Sequence, residues 1–143
     1  MPEFHFYYPI KVRYADLDPQ GHVNNAIYLT YFEEARSAYI QHLELWDGKT
    51  FLDLPVILAE TRVVYRAPVL LNQKVHIGVS VVRLGNKSFT MEYALEDQET
   101  GRTLAQATTV QVAYDYHQER TIPIPPAWRK AIEAFESLIS ESK

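Results

Sequence analysis

Between Tyr14 and Asn25 the chain gathers a carboxylate, a histidine and two asparagines into a Pro/Gly turn: Tyr14-Ala15-Asp16-Leu17-Asp18-Pro19-Gln20-Gly21-His22-Val23-Asn24-Asn25. The segment runs without a break into an amphipathic stretch, Ala26 to Leu43. The first N–H groups of a helix have no partner inside it, and the helix dipole favours negative charge there. A carboxylate near such donors suits acyl transfer, which needs one group to attack or to activate a nucleophile and another to receive the oxyanion. Asp18 is the candidate for the first role. The N–H of Asn25, with that of Asn24, is the candidate for the second, provided that neither asparagine caps the donor in question. His22 either pins the loop or takes part directly. Taken alone, Asp18 before Pro19 is also a common turn residue, Asn24 and Asn25 are helix caps, and Asp16 is structural or solvated.

These groups need a helix to supply the donors and a sheet to hold the helix. Phe4 to Tyr14 is aromatic and β-rich. From Ala26 to Leu43 an apolar stripe of Tyr28, Phe32, Ala35, Tyr39 and Leu43 opposes a polar one of Thr30, Glu33, Glu34, Ser37, Gln41 and Glu44. Val56 to Arg66 alternates, with Ile57, Ala59, Thr61, Val63 and Tyr65 on one face. Val75, Ile77, Val79 and Val81 alternate next. After a Gly85-Asn86 turn, Lys87 to Glu96 returns with Phe89, Met91, Tyr93 and Leu95 inward, and Glu99-Thr100-Gly101 turns into Thr103 to Tyr114. Pro125-Pro126 opens a closing helix with Trp128, Ile132, Phe135 and Ile139 at helical spacing. One long helix and about five antiparallel strands predict an α+β chain, a single domain over residues 1–143, with the sheet curled around the helix.

Composition narrows the chemistry. A net charge of −4 with scattered basic residues gives no reason to expect nucleic acid. The absence of cysteine excludes a thiol nucleophile, thiolate metal sites and a disulfide scaffold. His5, His22, His42, His76 and His117 show no metal spacing, and neither a phosphate loop nor a Gly-x-Ser-x-Gly elbow occurs. No apolar run approaches the roughly 20 residues that span a bilayer, and no signal peptide opens the chain, so the expectation is a cytoplasmic protein without membrane contact. Ten tyrosines read as half-buried strand positions in preference to a pocket lining.

The pattern Val-Arg-Tyr-x-Asp-x-Asp-x-x-Gly-His-Val-Asn-Asn-x-x-Tyr-x-x-Tyr-x-Glu-x-Ala-Arg, Val12 to Arg36, resembles the hotdog-fold acyl thioesterases of the hydroxybenzoyl-CoA thioesterase type. Arg83 to Phe89 and the closing Ile-Pro-Ile-Pro extend the resemblance over nearly the whole chain. It implies a helix wrapped by an antiparallel sheet, a dimer joined edge to edge and often paired into a homotetramer, acyl-CoA or acyl-carrier-protein thioesters as substrates, and no cofactor or metal.

By position, Asp18 matches the catalytic carboxylate. Tyr14 matches a tyrosine that assists it in the acyl-CoA thioesterases associated with the Tol–Pal system, whose histidine is here Asn25. Plant acyl-carrier-protein thioesterases resemble this chain at Asp18, His22, Val23, Asn24 and Asn25, with Gln20 in place of an asparagine. Their strand glutamate corresponds to Glu60, which alternatively forms an ion pair with Arg62 or Arg66. Lys87, with Ser88 beside it, would meet the CoA phosphates, or stands as a free surface lysine; arginines that precede it in the hydroxybenzoyl-CoA enzyme are here Gly85 and Asn86. A second hotdog lineage uses a helix glutamate, for which Glu33 and Glu34 are candidates, although both lie on the solvated stripe. A thioesterase is the favoured reading, with Asp18 as general base or nucleophile. The alternative is a non-catalytic hotdog module that binds acyl-CoA or an acyl-carrier protein, for which a carboxylate at the helix mouth has no use.

Overall fold

The 3.6-residue period of the first half forms α1 (Ile27–His42), bounded by Ala26 and Leu43. The structure, a computed structural model, describes residues 4–138. Tyr28, Phe32, Ala35 and Tyr39 are buried as their spacing predicts, joined by Tyr31 and Ile40, while Leu43 packs at the margin. Five antiparallel strands form the sheet in the order β1-β3-β4-β5-β2: β1 (Tyr7–Ile10), β2 (Val56–Tyr65), β3 (Val75–Leu84), β4 (Ser88–Asp97) and β5 (Thr103–Asp115). The two-residue β6 (Arg120–Thr121) folds back on the end of β5. The second helix, α2 (Pro126–Glu136), starts at a proline, whose fixed φ and missing N–H suit a first turn. This is the long helix, curled antiparallel sheet and C-terminal helix that the sequence pattern predicted, and the helix wrapped by a sheet that the resemblance implied.

Alternation places the inner faces correctly in the centre of the sheet. Val75, Ile77, Val79 and Val81 of β3 are buried, as are Phe89, Met91, Tyr93 and Leu95 of β4. The turns form where the small and polar residues stand. The Gly85 N–H donates to the Ser88 carbonyl (2.7 Å). Asp97 Oδ1 accepts the N–H groups of Glu99 and Thr100, and Gly101 takes φ +76°, a conformation that favours glycine. Under α1 the Arg36 guanidinium donates to the Tyr93 hydroxyl (3.2 Å), which pairs with Thr109 Oγ1 (2.8 Å). Among the described residues no buried side-chain nitrogen or oxygen lacks a partner.

Two expectations are corrected. Phe4 to Tyr14 is not one strand; only Tyr7–Ile10 pairs, against Val75–Gly78. The chain leaves the sheet because the Asp16 carboxylate captures the Arg13 N–H (3.0 Å) and the Asp16 N–H reaches the Arg13 carbonyl (2.9 Å), which winds Tyr14–Asp16 into a 3-10 turn. In β2, Leu58 pairs with Gln111 but Glu60 with Val110, so Ala59 is the extra residue of a bulge. A bulge resets the two-residue period. Leu58 and Val56 therefore share a face with Thr61, Val63 and Tyr65, and Ile57 turns to the other face. Ile57, Leu58, Val64 and Tyr65 are all exposed on this edge strand. Five of the ten tyrosines stand on strands, and three on α1.

The far side of the sheet is closed differently. β1 covers β3 only as far as Val79, whose N–H donates to the Phe6 carbonyl. Beyond it Glu136 of α2 takes over, accepting from the Val81 N–H (3.1 Å), the Ser80 hydroxyl (3.1 Å) and the Tyr39 hydroxyl (2.7 Å). Burial and the adjacent carboxylate hold the Tyr39 phenol far above its ordinary pKa. Trp128 and Ile132 of α2 are buried and Phe135 partly so; Ile139 lies outside the described residues.

Candidate functional site

Asp18 sits in a loop closed by its own backbone. Its N–H donates to the His22 carbonyl (2.8 Å) and its carbonyl accepts the Gly21 N–H (2.9 Å). Gly21 takes φ +81° with open space around its α-carbon, so backbone conformation alone asks for glycine there. Asp18 Oδ1 accepts the N–H of Gln20 (2.9 Å) and, at greater length, of His22 (3.4 Å). This is the turn role that a lone Asp before Pro has. It occupies only one oxygen, and Oδ2 has no hydrogen-bond partner among the described residues. The site end of the loop is tied to the sheet connection: Val23 donates to the Val69 carbonyl (2.9 Å), and His22 bridges to Leu70.

The donors at the start of α1 can be counted one by one. The Asn24 N–H goes to the Asp16 carbonyl (2.9 Å) and the Ile27 N–H to the Asn24 carbonyl (2.9 Å). The Asn24 side chain caps the Ala26 N–H through Oδ1 (2.9 Å). Among the described residues no acceptor stands on the Asn25 N–H. The expectation that Asn24 and Asn25 cap the helix is corrected: the residue at the cap of α1 is Ala26, with no side-chain bond, and Asn24 instead closes a turn onto it, while Asn25 carries an open donor.

Two tyrosines hidden by the apolar periodicity complete this corner. The Tyr65 hydroxyl, at the end of β2, donates to the Asn25 carbonyl (2.8 Å). Its ring meets Tyr28 edge-on at 4.9 Å and 90°. Tyr28 is buried, and burial, reinforced by Tyr65 and Asp18, raises its pKa against the opposing effect of the Val69 amide. A hydroxyl at a core position requires a partner; tyrosine where phenylalanine would fill the same space is the signal that periodicity alone passes over.

The remaining candidates lie apart. Tyr14 is 82% exposed on the 3-10 turn. His22 is half-buried, and its imidazole has no hydrogen-bond partner among the described residues; its backbone does the pinning. Glu60 stands in mid-strand opposite Val110, without an ion pair among the described residues. Arg66 donates instead to Gln106 Oε1 (2.9 Å). Ser88 opens β4, whereas Leu95 of the same strand is level with Ala105 and hence with Tyr65. Those seven steps put Ser88 and Lys87 about 23 Å from the Tyr65 end of the same chain. Glu33 lies 4.0 Å from Arg36 on the rim of a groove of about 920 Å³ along the outer face of α1, away from the loop. Among the described residues no group of three or more His, Asp or Glu is placed to hold a metal ion, and no helix is long and apolar enough to cross a membrane.

Because the His22 ring is not part of the loop's scaffold and Tyr14 is solvent-facing, His22→Ala and Tyr14→Phe are each expected to cost less turnover than Asp18→Asn. Steady-state kinetics on the three variants ranks them; an equal loss for His22→Ala at unchanged melting temperature would make His22 a primary catalyst.

Asp16 is structural, and strongly so. At 1% exposure its carboxylate accepts from the Tyr31 hydroxyl (2.6 Å), the Arg13 N–H (3.0 Å) and the Arg13 guanidinium (3.1 and 3.3 Å). Burial pushes its pKa up, but these donors together outweigh it and hold the group below the ordinary carboxylate value. A depressed folded-state pKa means stability present above the unfolded value, near 3.9, and lost as pH falls through the folded one. Asp16→Ala is expected to lose about 2–4 kcal/mol at pH 7, and the gap to the parent chain to narrow at pH 3. Urea unfolding at the two pH values checks this.

The sequence pattern of the Thioesterase-like superfamily matches residues 12–132. The chain is 27% identical, over 87% of its length and 94% of the other protein, to the long-chain acyl-CoA thioesterase FadM of Escherichia coli (strain K12). It is 24% identical, over 89% and 94%, to a 1,4-dihydroxy-2-naphthoyl-CoA hydrolase of Synechocystis sp. (strain ATCC 27184 / PCC 6803 / Kazusa). Its fold is similar to a thioesterase from Thermus thermophilus whose crystal structure is a complex with coenzyme A and Zn: TM-score 0.82 at 36% identity, covering 97% of this chain and all of that one.

Proposed function

This chain belongs to the Thioesterase-like superfamily and is a thioester hydrolase; from that premise we propose that it hydrolyses acyl-CoA to the free acid and CoA, with Asp18 as general base and the Asn25 N–H as oxyanion donor. The observation that carries the assignment is the pair of open valences on one loop. Among the described residues, Asp18 has one oxygen anchored by two backbone amides and the other without a partner, and Asn25 has the one N–H of residues 24–27 that no acceptor occupies. A thioester already has a good leaving group, so a polarised carbonyl and an activated water suffice. Gln20 and His22 are the polar groups close enough in sequence to hold that water. Asp18 removes a proton as the water oxygen attacks the carbonyl carbon. The tetrahedral oxyanion forms toward Asn25 N–H. The C–S bond then breaks, and the proton on Asp18 passes to the departing thiolate.

The same reading favours two copies. Lys87 and Ser88, about 23 Å along the sheet from the Tyr65 end of their own chain, are brought closer to a CoA bound at Asp18 by a partner chain. An antiparallel pairing of two β2 edges sets Tyr65 of one copy near the Val56 end of the other. Ser88 is level with Val112 and hence with Ile57, so it comes to that end with Lys87. Exposed apolar residues on both faces of an unpaired edge strand support this join. A homodimer is the minimum unit, and a tetramer a pair of such dimers.

Hydrolysis of acyl-CoAs of graded chain length and of aromatic acyl-CoAs, read by a thiol-trapping dye, tests the activity, with acyl-carrier-protein thioesters as the competing arm. Turnover of CoA thioesters is expected; binding without turnover across the panel would restore the non-catalytic module. A single turnover in heavy-oxygen water then tests the mechanism. Label only in the released acid is expected, and label in the Asp18 carboxylate would show nucleophilic attack through a mixed anhydride.

A further inference from the structure

We propose that Tyr65 of β2 is a positioning residue, whose hydroxyl sets the Asn25 backbone so that its free N–H faces the developing oxyanion. The inference rests on the proposed hydrolysis. Two peptide units meet at Asn25. In the first, Asn24–Asn25, the carbonyl accepts from Ile27 (2.9 Å) and the N–H is open. In the second, Asn25–Ala26, the N–H is capped by Asn24 Oδ1 (2.9 Å) and the carbonyl is held by Tyr65 (2.8 Å). The Leu29 N–H goes to the Ala26 carbonyl (3.2 Å), so the helix does not claim the Asn25 carbonyl. Every other contact in this set is local, within five residues of Asn25 or through Asp16. Among the described residues Tyr65 alone ties Asn25 itself to the sheet, 40 residues away in sequence. Its ring is itself oriented, edge-on against buried Tyr28 at 4.9 Å.

An oxyanion donor works by being aimed before charge develops, so a loosened peptide loses transition-state stabilisation while substrate binding is spared. Tyr65 touches no reacting atom in this scheme and moves no proton.

The test is Tyr65→Phe, which keeps the ring against Tyr28 and removes only the hydroxyl. With the acyl-CoA turned over best by the parent chain, kcat is expected to fall about tenfold with KM within about twofold. The pH profile should drop as a whole, its acid limb unmoved, and the melting temperature should stay the same. Unchanged kcat, KM rising in step with the loss, or a shifted acid limb would each overturn the positioning role. A parent chain that turns over no thioester would instead strike the proposed function. A readout independent of activity remains in that case: the Asn25 amide signal in nitrogen-15 NMR should be single and sharp in the parent and broadened in Tyr65→Phe. Identical signals in the two chains would overturn the inference.

Discussion

Asp18→Asn is expected to lower kcat by at least about a thousandfold, at the scale of a lost general base, while the melting temperature holds. The amide keeps an oxygen for the Gln20 and His22 N–H groups that Asp18 Oδ1 now receives, so the loop retains its closure. What disappears is the basic lone pair on the unpartnered oxygen. A carboxamide cannot take a proton from water near neutral pH, and it is a poor nucleophile, so the loss follows under either mechanism. A variant with more than a tenth of parental turnover would sink the assignment of Asp18.

Val63→Pro is expected to dissociate the protein to the 16.6 kDa chain and to cut hydrolysis by about a hundredfold, the scale at which a misplaced group is felt. The Arg66 N–H donates inward to the Leu104 carbonyl. Alternation along an antiparallel strand then turns the N–H of Val63 toward the open edge. Proline there removes an outward donor and crowds the approach of a second strand, while the ladder to β5 keeps its bonds. Light scattering and steady-state kinetics on one preparation decide the matter. A monomeric variant with parental activity would overturn the shared site, and so would a parent chain that is itself a monomer at micromolar concentration.

How far such features can be read from sequence depends on how local their causes are. The central strands were legible because their valines and isoleucines alternate against a face that is dry throughout. The helix was legible from its period, and the candidate loop before it, Tyr14 to Asn25, stood out because five candidate groups lie within a dozen residues. The element pattern already suggested a sheet curled around the long helix, and the resemblance supplied the hotdog family name and the dimer expected of it. The bulge at Ala59 left no mark: no glycine announces it, and one extra residue silently exchanges the faces on its two sides. The first strand was drawn too long because its end is set by a side-chain capture, Asp16 on the Arg13 N–H, that leaves β-propensity unchanged. Which N–H stays open could be posed from sequence but not answered, since it turns on Asn24 capping Ala26. Tyr65 and Tyr28 were absorbed into apolar stripes because a hydropathy pattern weighs the ring and ignores the oxygen. Glu60, Lys87 and Ser88 were matched by position along the chain, and separation across a sheet exists only once strand order is known.

The two borders of this sheet differ in a way that bears on what the protein avoids. On the β2 side the ladder is open. On the other side Pro9 of β1 has no donor to offer, and past β1 the Glu136 carboxylate already occupies the Val81 N–H. A molecule with two receptive borders can add copies head to tail without end, which is the route to fibres. With one border stoppered, a second copy can join only like to like, and that contact consumes the open border of both. In the proposed dimer the carboxylate of a C-terminal helix would thus act against further strand addition on the β1 side, and a join through β2 would halt at a closed pair.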